Sequence, residues 1–371
     1  MGAVGVRSAT AETSEWTGND GIPASRRGGT RGPAGAWFAG LLLLGVSVVL
    51  GCRIADTDAV TPVPQLLAFL PWLLAPTGVA LAFAALSRWR VGLVWGVAAL
   101  AVIAWYIEPY GKTREPGGVP VAEVRVLTAN VEYGKATDEL VEAVGKQRPD
   151  FVFVQECEST CEKTLEQAFG KSGTNEKDEE NEKDAKDAKD AKDAKGGYPY
   201  RQAVESATSG GSDGSVILSR HPLKPAKGIP ATMGMPGAVA DVDGQEIRLQ
   251  LAHPMPPLPS DLGTWRKELS ALRDYAAANA ARPTVVAGDF NATQDHAAFR
   301  RILDTGFMDG ARLTGDTRAP SWPALTTPVF GAQIDHVLVS RGFSATRTRF
   351  LDLGDTDHRA LVVDLTLYKN V

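Results

Sequence analysis

The sequence predicts a mixed α/β or α+β sandwich, rather than a doubly wound parallel sheet, carried behind three transmembrane helices. Three observations predict it. Residues 34–108 are dominated by long apolar runs with their charges at the ends. From Val121 onward, short β-like runs alternate with helical stretches but without regular long crossovers. Polar residues recur at the ends of those β-like runs, where a turn or a site would need them.

Residues 1–33 are rich in Gly, Ser and Arg and are expected to be a disordered cytoplasmic tail. Ala34–Gly51, Pro64–Leu86 and Val91–Ile107 follow as apolar spans, each reaching the roughly 17–25 residues of a bilayer crossing. They are apolar all round, whereas a core helix carries one apolar stripe. Arg26, Arg27 and Arg31 precede the first span, Arg53 alone follows it, and Arg88 and Arg90 lie between the second and third. That bias places the N-terminus in the cytoplasm and everything after Ile107 outside. "VLGC" (Val49–Cys52) has the look of a lipoprotein cleavage box, but two further spans after it favour uncleaved helices. The expectation is a multi-pass plasma-membrane protein with an extracytoplasmic domain.

Residues 109–120 are rich in Pro, Gly and charge and read as a linker, leaving 121–371 as the exported domain. "VAEVRVLTAN" alternates apolar and polar as far as Asn130, "DELVEAVGKQRPD" is helix-like, and "FVFVQE" is an apolar strand ending at Glu156. An insertion at about 171–197 contains "NEKDEENEKDAKDAKDAKDAK", which has almost nothing to bury and is expected to be a disordered, solvated spacer. Further strands are "SVILS", "EIRLQLAH" ending at His253, "PTVVAGDFN", "QIDHVLVS" and "RALVVDLTL", with a helix from about Leu262 to Ala280.

If the strand in "TVVAGDFN" runs through Asn291, alternation turns Asp289 and Asn291 to one face and Phe290 to the other. An ordinary turn explains these residues equally well when they are taken alone. However, Asn130, Glu156, His253, Asp289, Asn291, Asp335, Asp357 and His358 all stand at strand ends, which suggests convergence on one rim. The types are chemically coherent. Mg²⁺ takes hard oxygen ligands, with Mn²⁺ as the alternative, and no Cys/His cluster suggests zinc. A carboxylate such as Asp289 can activate water, and Asp335 can keep His358 charged against a phosphate.

The ordered set "LTAN", "VQE", "VILSRHPL", "GDFNAT", "QIDHVLVS" and "DTDHRAL" resembles the endonuclease/exonuclease/phosphatase superfamily and covers nearly all of Val121–Leu367. The resemblance implies a DNase I-like fold of two sheets flanked by helices, with the active site at one end. It implies Glu156 as the metal-binding glutamate, supported by Asn130 and Asp357. It further implies Asp289 as the residue positioning water and Asn291 as a phosphate contact. His358, oriented by Asp335, matches the phosphate-stabilising histidine, and His253 a position near the leaving group. "DTDH" stands where many members have a serine before the Asp-His pair. The other histidines read as structural: His336 packed on the opposite strand face, His221 at a position often aromatic in the family, and His296 on a helix surface.

The expected function is therefore a Mg²⁺-dependent phosphoesterase, acting on phosphodiesters outside the membrane. Nucleic acid stays open as a substrate, but a net charge of −5 and no Lys/Arg cluster supply little basic surface. No protein partner is evident. A catalytically silent phosphate-binding domain, or a transport protein whose helices are the functional part, are the alternatives. The helices hold almost no internal ionisable residue of the kind a transport path uses. Cys157 and Cys161, in "ECESTCE", fit either a disulfide or two free thiols. Ser159 with Glu162 suggests a capping box and a helix beginning just after Ser159, which would set a loop cysteine beside a first-turn one. An exported domain favours the bridge.

Overall fold

The computed structural model describes residues 1–2, 32–111, 113, 116–170, 197–206, 211–326 and 329–369. Residues 3–31 of the expected tail, and all but the last residue of the expected insertion, lie outside the described residues, and α1 takes up the tail's last two positions.

The N-terminal part is a helical layer: α1 (Gly32–Ile54), α2 (Val63–Ala68), a 3-10 turn (Leu70–Leu73), α3 (Leu74–Leu86) and α4 (Arg90–Ile107). Among the described residues, only α1, over 21 residues, and α4, over 18, are long and apolar enough to cross a membrane. The expected second span is thus corrected: Pro64–Leu86 is not one helix, and its longest apolar part is Leu70–Leu86. Pro71 opens the 3-10 turn. It lacks the N–H that would carry α2 straight into α3. Small residues let α1, α3 and α4 approach one another, with Ala39, Ala80 and Ala84 fully buried and Gly96 against Leu81 and Leu43.

The rest is a helix–sheet–sheet–helix sandwich. One six-stranded sheet has the order β11-β12-β1-β2-β4-β3 and the other β5-β6-β7-β8-β10-β9. In the first, β1 is Val119–Asn130, β2 Phe151–Gln155, β3 Tyr200–Val204, β4 Ser215–Ser219, β11 Phe343–Asp352 and β12 Arg359–Lys369. In the second, β5 is Leu223–Ala226, β6 Gly237–Val242, β7 Gln245–Ala252, β8 Thr284–Asp289, β9 Met308–Asp309 and β10 Asp335–Val339. Val126, Phe151, Phe153, Leu249, Val285, Val337 and Val363 fill the space between the sheets. Their alternate neighbours Leu127, Val152 and Val154 face α5 (Thr137–Gln147) and α6 (Ser159–Phe169) on the outside. Phe290, Leu338 and Val286 similarly meet α7 (Leu262–Asn279) and α8 (Ala297–Leu303). Burial of both faces explains why "FVFVQ" and "SVILS" read as continuous apolar runs instead of alternating.

Two parallel pairs, β1 with β2 and β7 with β8, set the site. Their C-terminal ends carry Asn130, Glu156, His253 and Asp289. Antiparallel β10 begins at the same level, with Asp335 directly opposite Asp289. Gly288 makes this possible: its φ is +152°, and a Cβ there would fall 1.9 Å from the Ala252 carbonyl oxygen. Only glycine lets β7 and β8 approach at that point.

Two smaller expectations change. The N-cap of α6 is Glu158, not Ser159; its carboxylate accepts from the Thr160 and Cys161 amides. His296 is buried and not on the surface, because the segment between α1 and α3 covers it and its Nε2 meets the Pro64 carbonyl at 2.8 Å. His336 is packed as expected, between Phe290 and Phe299, with Nδ1 2.7 Å from Asp309. His221 is a structural contact, beside Phe151 and 3.2 Å from Asp150.

Candidate active site

The strand ends bring the predicted residues together at one end of the sandwich. Asp289, the last residue of β8, is 2 % exposed. Its Oδ1 accepts from the Asn291 amide at 2.7 Å and its Oδ2 from Asn130 Nδ2 at 3.3 Å. β8 does not continue to Asn291, which adopts a left-handed φ of +47°. The turn nevertheless leaves Asp289 and Asn291 lining one cavity with Phe290 fully buried behind them. Asn291 Nδ2 is tied to the Pro254 carbonyl at 3.0 Å.

Asp335, His358 and Asp289 form a line of acid, imidazole and acid. Asp335 Oδ2 lies 2.9 Å from His358 Nδ1, and His358 Nε2 lies 3.7 Å from Asp289 Oδ2. Burial works against charge on His358, but the carboxylates of Asp335, Asp289 and Asp357 outweigh it and lift the ring to about 10. Burial pushes Asp289 up to about 7, with the His358 charge opposing and Asp335 adding. A carboxylate poised near neutrality beside an imidazolium is the arrangement general acid–base chemistry needs.

Glu156 follows β2 in a left-handed conformation, φ +56°. Its Oε1 accepts from Asn130 Nδ2 at 3.1 Å and its Oε2 from the Tyr133 amide at 3.2 Å. Strained non-glycine backbone of this kind clusters at functional sites. Burial raises its pKa, against the Asn130 hydrogen bond and the His358 charge. Asn130 presents its nitrogen to both carboxylates, while its oxygen accepts from the Glu132 amide at 3.0 Å. In this orientation it braces the carboxylates and turns no oxygen toward them. Asp357 accepts from Trp322 Nε1 at 2.8 Å, and its own amide donates to Glu132 at 2.9 Å. His253 is fully buried with no hydrogen-bond partner on either ring nitrogen, and its Nε2 is 3.9 Å from Glu156. Burial and the charge of His358 push it down to about 3, so it is neutral.

The donor set can hold a hard cation. Glu132, Glu156, Asp289 and Asp357 line one cavity of about 670 Å³, and His358 is the only strongly basic group among them. Four carboxylates against one imidazolium leave negative charge that a divalent cation would neutralise. Asp289, Asp335 and His358 also form a possible metal site, their ligand atoms lying within 4.8 Å of one another. Sequence reasoning missed Glu132 and Trp322. Glu132 had a signal, being an acid just past a strand end; Trp322, in a Pro-flanked loop, had none.

No curated protein matches the chain. The solved structure of an endonuclease/exonuclease/phosphatase from Beutenbergia cavernae is 19 % identical, with a TM-score of 0.48 over 67 % of this chain and 72 % of that one. A family protein from Leptotrichia buccalis is 15 % identical, with a TM-score of 0.45 over 65 % of this chain and 99 % of that one. D. rerio TDP2 complexed with a single-strand DNA product is 14 % identical, with a TM-score of 0.48 over 66 % of this chain and 99 % of that one. Residues 127–358, more than half of the chain, match the Endonuclease/Exonuclease/phosphatase family. The chain belongs to that family.

Proposed function

We propose that the protein is a membrane-anchored phosphoesterase that hydrolyses phosphodiesters outside the cytoplasmic membrane. The observation that carries the chemistry is the Asp335–His358–Asp289 line beside the Glu156 carboxylate. Asp289 accepts a proton from water as the water oxygen bonds to phosphorus. The ester oxygen leaves with the bonding electron pair and takes its proton from solvent, and Asp289 then returns the proton it accepted to bulk water. His358, held by Asp335, offers positive charge and an Nε2 proton to the phosphate oxygens. Asn291 lines the cavity beside Asp289, and the neutral His253 is buried 3.9 Å from Glu156, outside the cavity lining. Glu156 and Asp357 would hold Mg²⁺, with Mn²⁺ as substitute, and Asn130 would brace Glu156. When bound, the ion supplies charge to stabilise the phosphoryl oxygens.

The anchor reading rests on exposed apolar side chains. Trp37, Leu86, Val94 and Trp105 are all at least 72 % exposed on α1, α3 and α4, a belt no water-facing surface would keep. Gly35 near the start of α1 lies against Ser87, whereas Arg53 near its end lies over the Tyr106 ring near the end of α4. The two long helices therefore run the same way, and Leu70–Leu86 returns between them. Arg88 and Arg90 lie at the end of the helices away from the catalytic domain, and three more arginines precede α1 in the sequence, a bias that supports an outward-facing catalytic domain. The full chain in detergent should release product from a generic diester with Mg²⁺ and stop with EDTA. Absence of Mg²⁺-stimulated hydrolysis across DNA, RNA, sphingomyelin, phosphoinositides and the generic diester would remove the reading.

Cys157 and Cys161 are bonded, with Cα atoms 5.2 Å apart, and both are buried beside Glu156. The bridge closes the turn from β2 into α6. Reductant is expected to raise the Mg²⁺ concentration for half-maximal activity, while Cys157→Ser makes the protein insensitive to it. Mass spectrometry finding both thiols alkylated in the oxidised protein would end this idea.

A further inference from the structure

One wall of the active-site cavity comes from outside the catalytic domain. Pro64, Gln65, Ala68 and Phe69, from the segment between the first two apolar helices, face Glu156, Asp289, Asn291 and His358 across it. The segment is fixed, not draped. Gln65 Nε2 donates to the Pro257 carbonyl, and the Ala298 amide donates to Asp58 at 2.8 Å. His296 takes the Thr293 amide on Nδ1, so its Nε2–H is free to donate to Pro64. The Phe69 ring stacks on Phe330 at 5.5 Å and lies 6.3 Å from Trp322.

The cavity is chemically two-ended. Its floor holds the carboxylates and His358, while Phe69, Met233, Met255, Pro257 and Leu258 supply apolar walls. No Lys or Arg lines it among the described residues, which is a poor match for a polyanionic chain. Leu258 at its rim is 50 % exposed. Phe69 lies one residue before Leu70, where the apolar helical stretch Leu70–Leu86 begins. Leu70 itself is buried, but Trp72 and Leu74, just beyond it, are exposed, so the Phe69 wall leads within a few residues to side chains that the anchor would set against lipid.

We propose that Pro64–Phe69 is a specificity wall of the active site, and that Phe69 and Leu258 select phosphate esters carrying a long hydrocarbon chain. This rests on the phosphoesterase reading. The phosphate lies at the carboxylate end and the chain runs along Phe69 toward Leu258 and the bilayer. Burial of methylenes there favours the long-chain ester in proportion to the area removed from water.

The test compares 4-nitrophenyl decyl phosphate with 4-nitrophenyl methyl phosphate, which share a leaving group, using the full chain in detergent micelles with Mg²⁺. The decyl ester should show at least tenfold higher kcat/KM. Phe69→Ala and, as a milder surface change, Leu258→Ser should each reduce that ratio at least threefold. Because each ratio is internal to one variant, general loss of activity cancels. A wild-type ratio near one overturns the proposal. So does a high ratio unchanged in both variants, which would reflect partition into micelles alone. Faster hydrolysis of a single-stranded oligonucleotide than of the decyl ester also overturns it. If neither ester is hydrolysed, the phosphoesterase reading itself falls and takes this one with it.

Discussion

His358→Ala and Asp289→Ala should each lower turnover of a phosphodiester by at least ~10²-fold, the scale of one acid–base or electrostatic group. Asp289→Ala should not unfold the protein, whereas His358→Ala should also lower its stability, because it leaves the buried Asp335 carboxylate without its partner. Asp289 has a raised folded-state pKa, so its ionisation above about 7 disfavours the folded state, and alanine removes that cost at pH 8. Asp335→Asn gives a separate reading. The ring of His358 stands at about 10 because carboxylates, Asp335 first among them, outweigh its burial. With one carboxylate neutralised its pKa must fall, and the alkaline limb of the kcat/KM profile should move to lower pH. Near-normal rates in both alanine variants, with an unmoved limb in Asp335→Asn, would sink the assignment of these three residues.

Much of this site was legible because strand ends leave a local signature. An apolar run that stops at Asn130, Glu156 or Asp289 announces where the backbone leaves the sheet, and parallel pairing puts those ends side by side. Asp335 and His358 were legible for the complementary reason: β10 and β12 are antiparallel to their neighbours and begin where those end. Asn291 reached the predicted face by another route, a left-handed turn in place of a strand continuation. Alternation cannot reveal that, since it assumes the strand persists. The orientation of Asn130 was equally hidden, because its oxygen is claimed by a backbone amide only two residues away.

What the sequence concealed lies between distant segments. "TPVPQLLAFLPWLL" reads as part of a membrane span, and its hydrophobicity gives no sign that Gln65 and Phe69 meet residues near positions 257 and 330. The same contact buries His296, which helical spacing placed on a surface. Periodicity reports how much a residue wants burial, not which partner provides it. Pro71, visible in the sequence, was a local sign that the second apolar run breaks.

Asp295→Ala should be the most destabilising single change in the join between the helices and the catalytic domain. Asp295 is fully buried. Arg318 grips it with two nitrogens, at 2.5 and 3.0 Å, and Arg53 lies 3.7 Å away at the end of α1. Arg318 also donates to the carbonyls of Tyr106 and Ile107, so one carboxylate holds the ends of both long helices through two guanidinium groups. Removing it leaves two largely buried cations facing each other without their shared counter-charge. Breaking a buried pair from one side costs about 3–5 kcal/mol. In a domain of this size each kcal/mol lowers Tm by roughly 2–4 °C. Asp295→Asn keeps the shape and some hydrogen bonding, and should fall between wild type and alanine. Because the same join carries Pro64–Phe69 over the cavity, Asp295→Ala should also blunt the preference for the decyl ester before the protein melts. A Tm within about 2 °C of wild type, less than 1 kcal/mol on the same scale, would show that the carboxylate does not hold the two parts together.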